Sequence, residues 1–280
     1  LTMFGSKRLD NGQRHWPASR LLWVAAAGVV LAGSLGLAET APSSAARPRK
    51  WALLVGINDY KRGDIPDLRF ARNDVLQLRD TLLKTGGYRP DNVRLMTDQD
   101  KGDLYPTSAN VQRKLTELAT EVGARDTFLF FFSGHGASLF GDHYLLTADA
   151  DRSTPETLGQ TALPLTRVPA LLRGVRAGSN LFIVDACRND VSAAKGGQPT
   201  LGTEGFAKAI EVVSRGGGDS GPSPTVTLCS CSEGETSWEW EERKQGVFTF
   251  FLIDGLEGGA ADESGSVTVA GLGKYVEEEV

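Results

Sequence analysis

Sulfur and imidazole are scarce in this chain. It holds three cysteines, three histidines and two methionines among 280 residues. Cys187, Cys229 and Cys231 are too few for a disulfide framework, so the fold must rest on an apolar core. They do not make a zinc site either, because zinc wants four ligands and no Cys/His cluster has the usual spacing. Cys229 and Cys231 stand two apart, which on a strand puts both on one face. We read them as small buried residues rather than a redox or metal pair. No cofactor and no metal are expected. An excess of positive charge is missing too, and the net charge of −5 argues against nucleic acid as a partner. There is no solenoid repeat, and low-complexity sequence is confined to one Gly/Ser/Pro-rich stretch. What is present is ordinary globular composition, 40% hydrophobic and 23% charged, enough for one sizeable domain or two small ones.

The first fifty residues differ from the rest. Lys7, Arg8, Arg14 and Arg20 precede an uncharged apolar run, Leu21 to Ala38. A basic start, an apolar centre and a Gly36-x-Ala38 end read as a secretory signal peptide cut after Ala38. The second reading is a retained anchor, with membrane attachment through 21–38, since about 18 apolar residues reach the lower limit for a span. Either way the remainder is expected outside the cytoplasm, periplasmic or extracellular. Residues 39–49 read as a linker.

From Trp51 onward, short apolar runs alternate with amphipathic segments. Strands are expected at 51–57, 92–97, 127–133, 143–148, 180–186 and 224–230. Helices are expected at 68–84, 107–122 (capped by Thr107 or Ser108), 166–176, 247–258 and 268–280. Near-continuous apolar strands separated by helices imply an α/β fold with a mostly parallel sheet covered on both faces. Ligands then bind at the carboxyl ends of the strands.

Two such ends carry chemistry. The run "TFLFFFS" passes into Ser133-Gly134-His135-Gly136, and "IVDA" passes into Cys187. In a parallel sheet His135 and Cys187 fall on the same rim, each just past its strand. A thiol becomes a useful nucleophile as thiolate, and a nearby imidazole can activate it. His15 lies in the targeting segment and His143 begins a strand that looks buried, which leaves His135 as the base. The Gly136 and Cys187 amides are candidates for an oxyanion hole.

These residues stand in a recognisable order. "LLVGINDY", "ARNDV", "SGHG", "YLLTADAD", "DACRND" and "CSEGETSWEW…GVFTFFLIDGLEGGA" together resemble the caspase-like superfamily, and within it the bacterial metacaspase-like members, or orthocaspases. The resemblance runs from about residue 50 to 280. It implies a three-layer caspase-like sandwich: a large-subunit-like part at 50–190, a loop at 191–223 and a small-subunit-like part at 224–280. It implies a cysteine endopeptidase with Cys187 as nucleophile and His135 as proton shuttle, a dyad without an assigned third member. It also implies an acidic specificity pocket, matched here by Asp74 and Asp185, that selects Arg or Lys in a peptide or protein substrate. A desolvated guanidinium needs such carboxylate partners.

The departures count as well. Calcium-dependent relatives carry an acidic pair where this chain has "GQTALPLT", so calcium is not carried over. Asp149 and Asp151 are read as turn caps. Self-cleavage in the 191–223 loop is expected after Arg215 first and Lys195 second, each followed by glycines; an uncut surface loop is the rival reading. Trp238 and Trp240 share one face of an extended segment, either lining a substrate cleft or, for Trp238, joining the core. A continuation beyond Val280 is expected, because no closing strand follows the last amphipathic segment. The alternative function is a catalytically silent caspase-like scaffold for binding or signalling, a class that usually lacks the His or the Cys. Both are here. The oligomeric state is not legible.

Overall fold

Five apolar runs become the parallel part of one seven-stranded sheet. The computed structural model describes residues 47–139, 142–187, 225–230 and 238–280, with backbone alone at 139 and 187. Strand β1 (Lys50–Gly56) pairs with β2 (Val93–Thr97) on one side and β3 (Thr127–Leu139) on the other; β3 pairs in turn with β6 (Ser179–Cys187), and β6 with β7 (Thr225–Cys229), all parallel. The far end of β3 adds β4 (Asp142–Leu145), and β4 adds β5 (Leu163–Pro164), both antiparallel.

Alternation along the strands sorts the core into two halves. Leu53 and Val55 of β1, Phe128, Phe130 and Phe132 of β3, and Phe182 and Val184 of β6 pack on one face with residues of α2 (Ser108–Glu121), α3 (Pro155–Thr161) and α4 (Val168–Val175). Ala52 and Leu54, Leu129 and Phe131, and Ile183 pack on the other with α1 (Ala71–Lys84), α5 (Val247–Asp254) and α6 (Val269–Glu279). The result is a three-layer α/β sandwich, as expected. A strand buried on both faces has no polar side to show, which is why "FLFFF", residues 128–132, is apolar throughout.

The structure moves several boundaries. β3 runs to Leu139 rather than ending at 133, and β6 includes Cys187, so residues 135 and 187 lie inside their strands, not past them. The continuation is held by β4, which gives β3 a new neighbour after β1 ends. Helix α1 starts at Ala71, three residues later than expected. Thr107 caps α2, accepting a hydrogen bond from the Asn110 amide. Helix α3, strand β5 and the hairpin of β8 (Glu239–Trp240) with β9 (Gln245–Gly246) were not foreseen. Among the described residues, no helix is long and apolar enough to cross a membrane. The 21–38 run, the 191–223 loop with Lys195 and Arg215, and Cys231 all lie outside the described residues.

Candidate active site

The register of two strands brings the site together. β3 and β6 pair so that Ser133 is level with Asp185, and His135 with Cys187. These positions continue the face that carries Leu129, Phe131 and Ile183 under α1 and α5, so a period of two leads from core to site. His135 and Cys187 are 52 positions apart in the chain, yet they are immediate neighbours across one sheet.

His135 is buried, 3% exposed, and held from several directions. Its Nε2 lies 2.8 Å from the Pro66 carbonyl oxygen. A carbonyl only accepts, so Nε2 carries the proton and Nδ1 keeps the lone pair. Pro66 thus holds the imidazole through its backbone, a contact the sequence did not reveal. The His135 amide donates to the Tyr60 hydroxyl at 2.8 Å, and its carbonyl accepts from the Leu146 amide at 2.9 Å. Backbone groups alternate sides along a strand. With the His135 carbonyl turned to β4, the Gly136 N–H faces the opposite edge of β3, the β6 side.

Below this level sit the two acids. Asp74, in the first turn of α1, accepts from the Gly246 amide at 2.9 Å and the Ser133 hydroxyl at 3.0 Å. Asp185 accepts from the Thr249 hydroxyl at 2.6 Å. A Cβ built on Gly246 would stand 2.6 Å from Asp185 Oδ2 and 3.2 Å from Asp74 Oδ2, so that glycine backs directly onto both carboxylates. Burial, then the nearby charge of Asp185, raise the Asp74 carboxyl well above the usual carboxylate range, against the pull of its two hydrogen bonds. Asp74 and Asp185, 111 positions apart in the chain, therefore share one buried acidic site. Ser133 was missed in the sequence, although two residues before His135 on a strand is the same face. Gly246 and Thr249 had no such signal.

The hairpin that carries Gly246 is tied to α1. Glu239 accepts from the Arg69 and Phe70 amides at 2.8 and 2.9 Å, Asn73 donates to the Lys244 carbonyl, and Arg69 pairs with Glu241. Phe70, at the N-cap position, has no capping side chain of its own; Asn58 fills that role, its Oδ1 accepting from the first-turn Arg72 amide at 2.8 Å, while Glu239 holds the two amides that lead into the helix.

The comparisons with known proteins fall on this frame. The caspase domain matches residues 49–280. The chain belongs to the caspase family. Within that family it is 33% identical over 90 residues to metacaspase-6 of Arabidopsis thaliana, covering 32% of this chain and 24% of that protein. It is 31% identical over 118 residues to metacaspase-1 of Meyerozyma guilliermondii, covering 42% and 26%. With metacaspase-1B of Aspergillus fumigatus it shares 37% over 94 residues, covering 33% and 22%. The matched stretches thus span about a quarter of the length of these curated relatives. A crystal structure from Geobacter sulfurreducens, 15% identical, has a TM-score of 0.57 over 83% of this chain and 89% of that one, a likeness of fold.

Other residues of this caspase-family chain resolve into structural roles. His143 is half-buried, its Nδ1 2.6 Å from the Ser138 hydroxyl, and burial holds its pKa below the usual histidine value. Asp149 accepts from Thr147 and the Ser108 amide, and Asp151 from the Ser153 amide, both as turn-holding groups. Trp238 is 72% exposed and so not core, whereas Trp240 packs edge-on against Phe250 at 5.2 Å. Cys229 is half-buried at the end of β7. Among the described residues, no group of three or more His, Cys, Asp or Glu is placed to hold a metal ion.

Proposed function

We propose that this chain is a cysteine endopeptidase that cuts after arginine or lysine. The observation that carries the reading is the strand register that makes residues 135 and 187 neighbours within a caspase domain. Cys187 passes its proton to Nδ1 of His135, and the resulting sulfur anion attacks the scissile carbonyl carbon. The carbonyl oxygen becomes an oxyanion facing the Gly136 and Cys187 amides. As the C–N bond breaks, the imidazolium returns its proton to the leaving amine. A thioester remains, and water activated by the same imidazole hydrolyses it, restoring the thiol. The Pro66 carbonyl supports this cycle by accepting from Nε2, which fixes the tautomer and stabilises the imidazolium.

Asp74 and Asp185 receive the cationic side chain. A guanidinium or ammonium supplies counter-charge to two adjoining buried carboxyls, which Ser133, Thr249 and the Gly246 amide orient. A pocket of this charge rejects an acidic residue by repulsion. Self-processing after Arg215, then Lys195, belongs to this proposal, as does export directed by the 1–38 segment or anchoring through 21–38; all three stretches lie outside the described residues. The domain limits proposed are 50–190, 191–223 and 224–280.

The test is a fluorogenic peptide assay. Arg- or Lys-terminated substrates are cut, and Cys187→Ala abolishes cleavage without changing the melting temperature by more than a few degrees. Equal turnover of Asp-terminated peptides overturns the pocket assignment. Cleavage that survives in Cys187→Ala overturns the nucleophile.

A further inference from the structure

His135 is gripped through its backbone as well as its ring. The last rung between β1 and β3 is the Ile57 amide donating to the Ser133 carbonyl at 3.0 Å. Past it the chain leaves the sheet, so the next inward amide on that edge, that of His135, has no strand to pair with. β4 supplies a donor to the His135 carbonyl and nothing to its N–H. A buried amide left without an acceptor is costly. The Tyr60 hydroxyl fills the gap at 2.8 Å, and the Tyr60 ring lies 5.1 Å from the imidazole, tilted by 36°.

This contact depends on Gly134. A Cβ there would stand 2.8 Å from the Phe132 ring and 3.1 Å from the Tyr60 hydroxyl. Glycine leaves the hydroxyl its path to the next amide along the strand. The loop that presents Tyr60 is itself fastened: the Tyr60 amide donates to Asp67, the Lys61 amide to the Ala148 carbonyl, and the Leu68 amide to the Asn58 carbonyl. The same loop delivers the Pro66 carbonyl to Nε2. One rigid turn therefore holds the histidine at its backbone and at its far ring nitrogen.

We propose that Tyr60 is a positioning residue for His135, its hydroxyl anchoring the His135 amide through the gap at Gly134 so that the imidazole stays aimed at position 187. The consequence for turnover rests on the peptidase reading above; the anchoring does not.

The experiment uses the full chain with Cys229 and Cys231 changed to Ser, so that iodoacetamide reports on Cys187 alone. Tyr60→Phe keeps the ring and removes only the acceptor. Alkylation of Cys187 at neutral pH slows about tenfold, because an imidazole that wanders activates the thiol poorly. In a His135→Ala background the same substitution changes nothing further, since its effect passes through the imidazole. With an Arg-terminated peptide, kcat falls about tenfold or more while KM stays within about twofold. Gly134→Ala reproduces the pattern by a different route. An alkylation rate for Tyr60→Phe equal to that of the parent overturns the proposal. So does equal slowing in the presence and absence of His135, which is what a general loss of structure would give. A chain that cuts no basic peptide, but whose thiol reactivity depends on Tyr60 through His135, supports the anchoring and overturns the endopeptidase reading.

Discussion

At the scale of single residues, the acidic site sets a pH dependence whose sign is determined. An unfolded aspartate titrates at about pH 4. Burial and the charge of Asp185 raise Asp74 well above that in the fold. Between the two values the native state holds the proton more tightly than the unfolded chain. Its contribution to stability is therefore fully present below the unfolded value and is lost as pH rises through the folded one. The melting temperature of Asp74→Asn should decline less steeply than that of the parent as pH is raised from about 4 to about 8; parallel curves would refute this. Substrate binding runs the other way. Because a cation pairs with the ionised carboxylate, KM for an Arg-terminated peptide falls with rising pH in the parent, and is higher and flatter in Asp74→Asn.

Gly246 offers a second residue-scale test. The methyl of Gly246→Ala lands 2.6 Å from the Asp185 carboxylate, which Thr249 holds in place. Overpacking of this kind costs about 1–3 kcal/mol, so KM for basic peptides rises about tenfold or more. Alkylation of Cys187 is unaffected, because the thiol and imidazole are one register step away. A rise in KM equal for Arg- and Asp-terminated peptides would sink the argument.

Among elements, α1 and the β8–β9 hairpin depend on each other. Glu239 holds the Arg69 and Phe70 amides that lead into the helix whose first turn bears Asp74, and the hairpin returns Gly246 to that same carboxylate. Glu239→Ala leaves the Arg69 and Phe70 amides without this acceptor and destabilises the fold by about 1 kcal/mol. Glu239→Gln keeps a carbonyl oxygen there and loses little, a difference readable as a shift in urea midpoint at constant slope. Acceptors outside the helix explain a boundary the sequence misplaced. The apolar spacing of Val75, Leu78 and Leu82 announces α1 but says nothing of where it starts. Its start is fixed by Asn58, whose side chain caps the Arg72 amide from 14 residues upstream, and by Glu239 holding the Arg69 and Phe70 amides before it, and apolar spacing sees neither. The end of β3 was hidden for a similar reason: "SGHG" has weak strand propensity, and pairing with β6 over residues 133–135 and with β4 from Gly136 onward keeps it extended.

At the scale of the whole molecule, five parallel strands carry residues from distant parts of the chain to one rim, and the pocket needs both the segment before the 191–223 loop and the segment after it. Mass spectrometry of the full chain beside its Cys187→Ala form tests the proposed processing: fragments ending at Arg215, and secondarily at Lys195, appear only in the active protein. Arg215→Ala suppresses the first. The same fragments in Cys187→Ala would assign the cut to another protease.

The amino-acid sequence by itself determined the alternation of buried strands and amphipathic helices, and with it the layered architecture, because strand and helix periodicities are local properties. It also singled out His135 and Cys187, since glycine flanks and the close of an apolar run are visible in a linear string. Asp74 and Asp185 were named from a resemblance; their meeting in one buried site was decided only in three dimensions. Tertiary structure alone supplied the Pro66 carbonyl, the Tyr60 hydroxyl, the hold of Glu239 on the amides before α1 and the glycine pressed against two carboxylates. Backbone acceptors and close approaches leave no mark on residue type, and they exist only once strand register and hairpin docking have brought remote segments within hydrogen-bond reach.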